Sequence, residues 1–267
     1  MNTVTSADGT RIAFDHSGAG PAVIVVGGAF NDRTTVAGLA QELSPDFTAI
    51  AYDRRGRGDS GDAGNYSVQR EIEDIAALIE HAGGSASLVG HSSGAILSLL
   101  AAAELTVDKV VVYEPPFITD DTRPRPGADI ADRVQALVDA DRRDDAAMLF
   151  FTEGVNVPAE ILDRMRNHEN WAWFSGLAHT LPYDLAICGP GNALPTDSLA
   201  KITAPTLVIC GGASLEWVRT SGRAAAGLVH GGRYLTLEGQ DHGSVLQQPG
   251  TLAPTVREFL VPGEVKS

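Results

Sequence analysis

The stretch Val89-Gly90-His91-Ser92-Ser93-Gly94 constrains this chain more than any other. Ser85 to Val89 is a short run ending in two apolar β-formers, and Ala95 to Ala103 is almost continuously apolar, as a buried helix is. A chain that reverses from strand to helix over one serine needs small residues on both sides. Gly90 relieves the tight turn, and Gly94 lets the new helix pack close to the strand. Such a turn lifts the Ser92 hydroxyl above the end of a sheet. It also points the backbone N–H of Ser93, at the helix start, at the space where an oxyanion would form. With 29 glycines in 267 residues, the pattern G-x-S-x-G carries a real risk of chance occurrence. The competing reading is a glycine-rich turn without chemistry, so the flanking elements and the partners further along the chain decide between them.

Thr3-Val4-Thr5 and Arg11-Ile12-Ala13-Phe14 flank the turn signal Ala7-Asp8-Gly9 and predict an antiparallel entry hairpin. Pro21 to Val26 is the continuous apolar run of a fully buried parallel strand. It ends in Gly27-Gly28-Ala29-Phe30, and Asn31 or Asp32 is placed to cap the helix that follows. Phe47 to Tyr52 reads as the next strand, closing at Asp53-Arg54-Arg55-Gly56-Arg57-Gly58-Asp59-Ser60. That basic, glycine-rich stretch lacks both the G-x-G-x-x-G spacing and the Gly-Lys-Ser/Thr ending of phosphate loops. Val68, Ile72, Ile75 and Ile79 lay one apolar stripe along a helix that stops near Gly83-Gly84. With Lys109 to Tyr113 as a further buried strand, helix and strand alternate, and a right-handed, mostly parallel sheet is expected.

From Phe117 to about Leu199 the alternation breaks. Pro124-Arg125-Pro126-Gly127 links to a helix face of Ile130, Val134, Leu137 and Val138, and Pro158 suits the first turn of another helix. Residues 117–199 are therefore expected to form a helical lid inserted into an α/β core of residues 1–116 and 200–267. The alternation resumes with Thr206 to Cys210, a helix from about Leu215 to Gly227, and a last strand from Arg233 to Leu237. Leu252, Val256, Phe259 and Leu260 mark a final amphipathic helix.

The formal charge of −14 argues against nucleic acid and anionic membrane surfaces as partners. Two cysteines, Cys188 and Cys210, offer neither a disulfide framework nor a Cys/His metal cluster, and point to a reducing compartment. Met1 to Arg11 is polar, without the basic-then-apolar order of a signal peptide, and the longest apolar runs are too short to span a bilayer. The expectation is a soluble cytoplasmic protein, monomer or homodimer, acting on a small molecule without metal or cofactor.

Ser92 needs a base, and histidine is the usual one. His91 is adjacent, but neighbours on such a turn point in different directions. His16, His81 and His230 fall in turns or at helix ends, and His168 and His179 lie in the insertion. His242 sits in Glu238-Gly239-Gln240-Asp241-His242-Gly243, the loop leaving the last strand at the same sheet end as Ser92, where such sites are built.

Sheet order, the Ser92 turn, the position of the insertion and the C-terminal histidine resemble the α/β-hydrolase superfamily over nearly the whole chain. The turn Asp53 to Ser60 is similar to that family's D-x-R-G-x-G-x-S motif. The resemblance implies a mostly parallel eight-stranded sheet with helices on both faces, a nucleophile elbow at Ser92 and a helical cap. In most members the acid is an Asp three residues after the glycine ending the penultimate strand; here that strand ends at Gly211, and Ser214 stands in its place. Two replacements are available. Glu114, in Tyr113-Glu114-Pro115-Pro116-Phe117, ends the strand after the elbow, where some members carry their acid, and Pro115 disfavours a helical conformation there. Glu216 is the rival, but at a helix start a glutamate is explained by the macrodipole and Ser214 by N-capping. Glu114 is preferred because its position otherwise wants an apolar or small residue.

The second oxyanion donor is expected from the loop after the Pro21–Val26 strand. The family often has His-Gly there; this chain has Gly27-Gly28-Ala29, so the N–H of Ala29 joins that of Ser93. The insertion carries Phe150, Phe151, Trp171, Trp173, Phe174 and Tyr183. Phe30, Trp171 and Trp173 are the candidate substrate contacts, implying a small to medium, largely uncharged ester or lactone. The reading is a serine hydrolase working through Ser92, His242 and Glu114, with carbon–carbon bond hydrolysis open to the same residues. Epoxide hydrolase and haloalkane dehalogenase chemistry is disfavoured, since families of that kind use an Asp at the elbow. A small-molecule sensor on the same scaffold, with slow or no turnover, is the alternative from another class.

Overall fold

The computed structural model describes residues 1–261. β1 (Asn2–Thr5) and β2 (Arg11–Ser17) pair antiparallel across the predicted turn, where Gly9 takes φ 86°. β3 (Ala22–Val26) is buried along its whole length. Of the two candidate caps for α1 (Arg33–Leu43), Asp32 is the one used: its carboxylate accepts from the N–H groups of Thr34 and Thr35. Then come β4 (Thr48–Tyr52), α2 (Val68–His81), β5 (Ser87–His91), α3 (Ser93–Glu104) and β6 (Val110–Tyr113). After the insertion the chain resumes with β7 (Thr206–Gly211), then a helix over Glu216–Leu228, and β8 (Arg233–Leu237).

The eight strands form one sheet in the order β1-β2-β4-β3-β5-β6-β7-β8, antiparallel only at β1–β2 and β2–β4. Alternate residues of the buried strands serve opposite faces, as the pleat requires. Ile24, Val26, Leu88, Val110 and Val112 pack with α2 and α3. Val23, Val25, Val89, Val111 and Leu207 pack with α1 and the C-terminal helix. All strands from β3 to β7 run parallel, so their carboxyl ends, and the loops that leave them, share one rim.

Between β6 and β7 the chain is helical: α4 (Ile130–Asp139), α5 (Arg143–Leu149) extended by a π-helical turn at Phe150–Gly154, α6 (Ala159–Arg166), α7 (Trp171–Leu177), α8 (Leu181–Cys188) and α9 (Thr196–Leu199). This insertion has its own apolar cluster, built on Val134, Phe150, Phe151, Trp171 and Leu181, which reaches the core through Phe30. The helix over Glu216–Leu228 is α10; α11 (Ser244–Gln247) and α12 (Pro249–Leu260) complete the chain. No helix among the described residues is long and apolar enough to cross a membrane.

Two local expectations are corrected. Pro158 stands one position before α6, as its N-cap residue, and not inside its first turn. Ser214 does not cap α10; Leu215 occupies that position and the serine hydroxyl is engaged elsewhere. Gly90 is required by space, as the tight turn implied: a Cβ there would lie closer than 3.0 Å to Gly94 O and to the Cα of Ala95. Gly94 is pressed as hard on the other side, where a Cβ would come equally close to the carbonyls of Val26 and Gly27. Those neighbours are backbone and cannot swing aside. Gly94→Ala is therefore expected to destabilise the fold by about 1–3 kcal/mol or more in urea unfolding. Gly176→Ala, at a helical position with nothing within 4 Å of the added carbon, should be neutral or stabilise by about 0.5–1 kcal/mol.

Candidate active site

Ser92 sits between β5 and α3 at φ 57°, ψ −126°, a conformation that L-residues rarely hold. Its N–H donates to Tyr113 O at 3.0 Å, and its carbonyl accepts from Ala95 N at 2.9 Å, tying the turn to β6 and to the first turn of α3. The loop after β3 lies directly against it: a Cβ on Gly28 would be 2.8 Å from Ser92 Cβ and 2.9 Å from His91 O. The N–H groups of Ala29 and Ser93 have no hydrogen-bond acceptor among the described residues. Two free donors thus come from the segments flanking the serine, one from the adjacent loop and one from the start of α3.

Glu114 leaves β6 at φ 51° and is 1% exposed. The proline after it bars the right-handed helical region, and the residue takes the left-handed one. Its Oε1 accepts from Gly211 N at 2.8 Å and from Ser214 Oγ at 2.6 Å; its Oε2 lies 2.7 Å from His242 Nδ1. Ser214, three residues after Gly211, therefore spends its hydroxyl on the Glu114 carboxylate. Glu216 is elsewhere: its side chain is 65% exposed and paired with Arg219 and Arg223, out of contact with His242.

The loop carrying His242 is fixed from below. Tyr113 donates its hydroxyl to Asp241 O at 2.6 Å, and Ala213 N donates to Gln240 O at 2.9 Å. His91 is 7% exposed; its ring lies 4.7 Å from that of His242, and its Nε2–H donates to His242 O at 3.1 Å. His91 Nδ1 is buried without a hydrogen-bond partner among the described residues. Burial, and then the neighbouring His242, hold the His91 imidazole well below its ordinary pKa. The His242 side chain itself is 52% exposed, and it makes no hydrogen bond to Ser92 Oγ among the described residues.

The stretch Asp53 to Ser60 turns its arginines inward. Arg54 grips Glu71 with two bonds of 2.6 Å, reaches Asp184 Oδ1 at 2.7 Å and Gly27 O at 3.3 Å. Arg57 donates to Asp184 Oδ2 at 2.6 Å, to Gly28 O at 2.6 Å and to Asn31 O at 3.0 Å. Arg55 makes a separate pair with Asp74. Asp184 comes from α8 and also accepts the Ser93 hydroxyl at 2.7 Å. The sequence reading did not find Asp184 or the inward role of Arg54 and Arg57. Three arginines at a strand end, in a chain of charge −14, were the available signal.

Phe30, at φ 59° and 6% exposed, stacks on Phe151 at 4.9 Å and meets Phe150 and Phe174 edge-on. Trp173 is 39% exposed and donates its indole N–H to Phe30 O at 2.9 Å. Trp171 is occupied differently, inside the insertion's own cluster with its N–H on Asp144. His179 Nε2 bonds Gly56 O at 2.7 Å, His168 is exposed, and His81 packs on Phe14. Cys188 and Cys210 are both free. No group of three or more His, Cys, Asp or Glu side chains suited to a metal ion occurs among the described residues.

A serine at positive φ between β5 and α3 thus shares the sheet rim with a carboxylate–histidine pair that leaves β6 and β8. Residues 16–255 match the alpha/beta hydrolase family, and the chain belongs to it. It is similar to a 2-(acetamidomethylene)succinate hydrolase from Mesorhizobium japonicum, 30% identical over 211 residues, covering 74% of this chain and 72% of that one. It superposes with TM-score 0.90 on the crystal structure of an alpha/beta hydrolase from Sphaerobacter thermophilus, at 49% identity over 97% of this chain and 99% of that one. The enol-lactonase of Burkholderia xenovorans shares the fold, with TM-score 0.75, 19% identity and coverage of 98% and 100%.

The depressed His91 imidazole has a measurable consequence. Below the ordinary imidazole pKa of about 6.5 the unfolded chain takes up a proton that the folded chain refuses. More protons on the unfolded side mean that stability falls as pH drops, by up to about 1.4 kcal/mol per unit. His91→Gln, whose amide can still donate to His242 O, is expected to flatten this slope between about pH 6.5 and 5 in urea unfolding.

Proposed function

We propose that this chain is a cofactor-independent serine hydrolase that cleaves a carboxylic ester or lactone by way of an acyl-enzyme. The observation that carries the reading is the buried Glu114 carboxylate 2.7 Å from His242 Nδ1, beside a serine held at φ 57°. Glu114 fixes the tautomer in which Nδ1–H faces the acid and Nε2 is free to take a proton. Ser92 Oγ attacks the carbonyl while its proton passes to His242 Nε2, a contact that in this class tightens when substrate binds. The oxyanion meets the N–H groups of Ala29 and Ser93. His242 then protonates the leaving oxygen, and a water, deprotonated by the same nitrogen, releases the acid and restores Ser92.

The Mesorhizobium relative's name supports hydrolysis as the reaction class and leaves the scissile bond of this chain to experiment. Phe30 and Trp173, joined by the indole bond to Phe30 O, form the aromatic wall proposed to meet an apolar acyl or alcohol group. Trp171 supports that wall from within the insertion. Residues 117–199 act in this reading as a cap over the site.

Purified protein mixed with excess p-nitrophenyl acetate is expected to release p-nitrophenol over many equivalents, and Ser92→Ala to abolish it. A single stoichiometric burst would favour a slow-turnover sensor instead. On the same substrate Glu114→Gln should lower kcat by about 10²–10⁴, since a carboxamide cannot stabilise the imidazolium, while Glu216→Gln should leave kcat within about twofold. The reverse pattern would move the acid to α10.

A further inference from the structure

We infer that Asp184 of α8 and Arg57 are positioning residues of the oxyanion hole, so that this hole is completed by the insertion. The inference rests on the serine-hydrolase reading above and goes beyond it by tying the two N–H donors to one buried carboxylate.

The first tie is a matter of peptide geometry. The carbonyl of Gly28 and the N–H of Ala29 belong to one planar trans peptide and point in opposite directions. Arg57 Nη1 holds the Gly28 carbonyl at 2.6 Å. Gripping that oxygen aims the Ala29 N–H away from the arginine, and the charged donor polarises the peptide so that the N–H becomes the stronger donor. The same Nη1 holds Asn31 O at 3.0 Å, and Asn31 Oδ1 accepts Gly28 N at 2.9 Å, so the loop is closed at both ends. It carries two adjacent glycines and would otherwise sample many conformations.

The second tie runs through Ser93. Its hydroxyl donates to Asp184 Oδ1 at 2.7 Å, which anchors the residue whose own N–H is the other donor. Asp184 Oδ2 receives Arg57 Nη2 at 2.6 Å. One carboxylate therefore fixes both sides of the hole. Arg54 and Arg57 face Glu71 and Asp184, two cations against two anions, each no more than 2% exposed. Burial works against the charge on Asp184; Arg57, Arg54 and the Ser93 hydroxyl overcome it and hold its carboxyl below the usual range. Tyr66 braces the assembly, bonding Glu71 Oε1 at 2.9 Å and stacking on Tyr183 of α8 at 3.9 Å.

The test separates positioning from plain stability. Asp184→Asn and Arg57→Lys are compared with Asp74→Asn, which breaks the neighbouring buried Arg55 pair without touching the loop or α8. Two readouts are taken: kcat and KM on p-nitrophenyl acetate, and the dissociation constant of phenylboronic acid. Ser92 adds to that trigonal boron and passes its proton to His242, leaving a tetrahedral boronate anion whose oxygen needs the hole. Asp184→Asn and Arg57→Lys are expected to lower kcat about 10- to 100-fold with KM within about twofold, and to weaken the boronate by a similar factor. Asp74→Asn should lower Tm at least as far with neither effect. Losses that track Tm alike in all three variants, or unchanged boronate affinity in Asp184→Asn, would overturn the inference. Should the first two fail to fold, Ser93→Ala deletes a single hydroxyl and should show the same paired losses at about three- to tenfold; their absence overturns it. If Ser92→Ala binds boronate as well as the unaltered protein, the serine-hydrolase reading itself has failed. If only the network variants behave like the unaltered protein, this inference alone has.

Discussion

Ser92 is held at φ 57°, ψ −126°, a conformation costing on the order of 1–3 kcal/mol for an L-residue, and its surroundings leave the chain no other path. On one side α3 presses against β3 so closely that Gly94 has no room for a side chain, and on the other Gly28 touches the serine itself. The first contact is with backbone carbonyls and the second with Ser92 Cβ and His91 O, atoms that no χ rotation moves, so neither relaxes by a rotamer change. The strain is spread over the site, because Phe30 in the adjoining loop and Glu114 at the end of β6 also hold positive φ without being glycine, at 59° and 51°. Ser92, the Phe30 loop and Glu114 each leave a parallel strand by an abrupt reversal. Such a reversal is what lifts a side chain clear of the rim and into the space above the sheet.

The proposed triad takes its acid from the end of β6 instead of β7, which the adjacency of the two strands permits. Tyr113 pairs with Ile209 in the parallel register, so Glu114 emerges level with the end of β7, where Gly211 N and Ser214 Oγ are waiting. The rest of the old position is put to use as hydrogen-bond donors. A carboxylate that is 1% exposed needs such donors, since an unpaired buried charge costs several kcal/mol. His242 takes the remaining oxygen. Ser214 thus occupies the place of an acid while doing the reverse work of donating to one, and that explains why capping propensity misjudged it.

The sheet was legible because parallel strands buried on both faces must be continuous apolar runs, and Ala22–Val26 and Thr206–Gly211 are such runs. Glu114 and His242 were legible for the opposite reason, as polar residues at strand ends where packing alone explains neither. What the sequence hid is long-range pairing. Arg54 and Arg57 meet Asp184 across 130 and 127 residues of chain, and nothing local marks an aspartate in Leu181–Cys188 as their partner. His91 was hidden too: its neighbourhood to Ser92 is obvious, but its bond to His242 O depends on where a loop 151 residues away returns. In the insertion periodicity marked α4 and Pro158 the start of α6, yet which tryptophan faces outward did not follow, because Trp171 and Trp173 differ only in which side of α7 meets the aromatic cluster.

The four buried charges behind the elbow raise the question of why an apolar cluster does not stand there, since a buried ion pair is often no more stabilising than packed hydrocarbon. The carbonyls supply the answer. Gly27, Gly28 and Asn31 turn three oxygens toward the interior, and each must find a donor. A leucine in place of Arg57 would leave Asn31 O unpaired and Gly28 O with only the 3.2 Å bond from Asn31 N, and the loop would rotate to recover water or another donor. Rotating the Gly28 peptide to do so swings the Ala29 N–H with it, since both ends of that plane move together. The guanidinium satisfies two oxygens at once from a single nitrogen, and a guanidinium at that depth demands a carboxylate. Glu71 of α2 is taken up by two bonds from Arg54, and Arg57 draws its carboxylate from elsewhere. That carboxylate stands on the insertion, at Asp184, so the orientation of one peptide in the core is tied to a charged residue supplied from outside it.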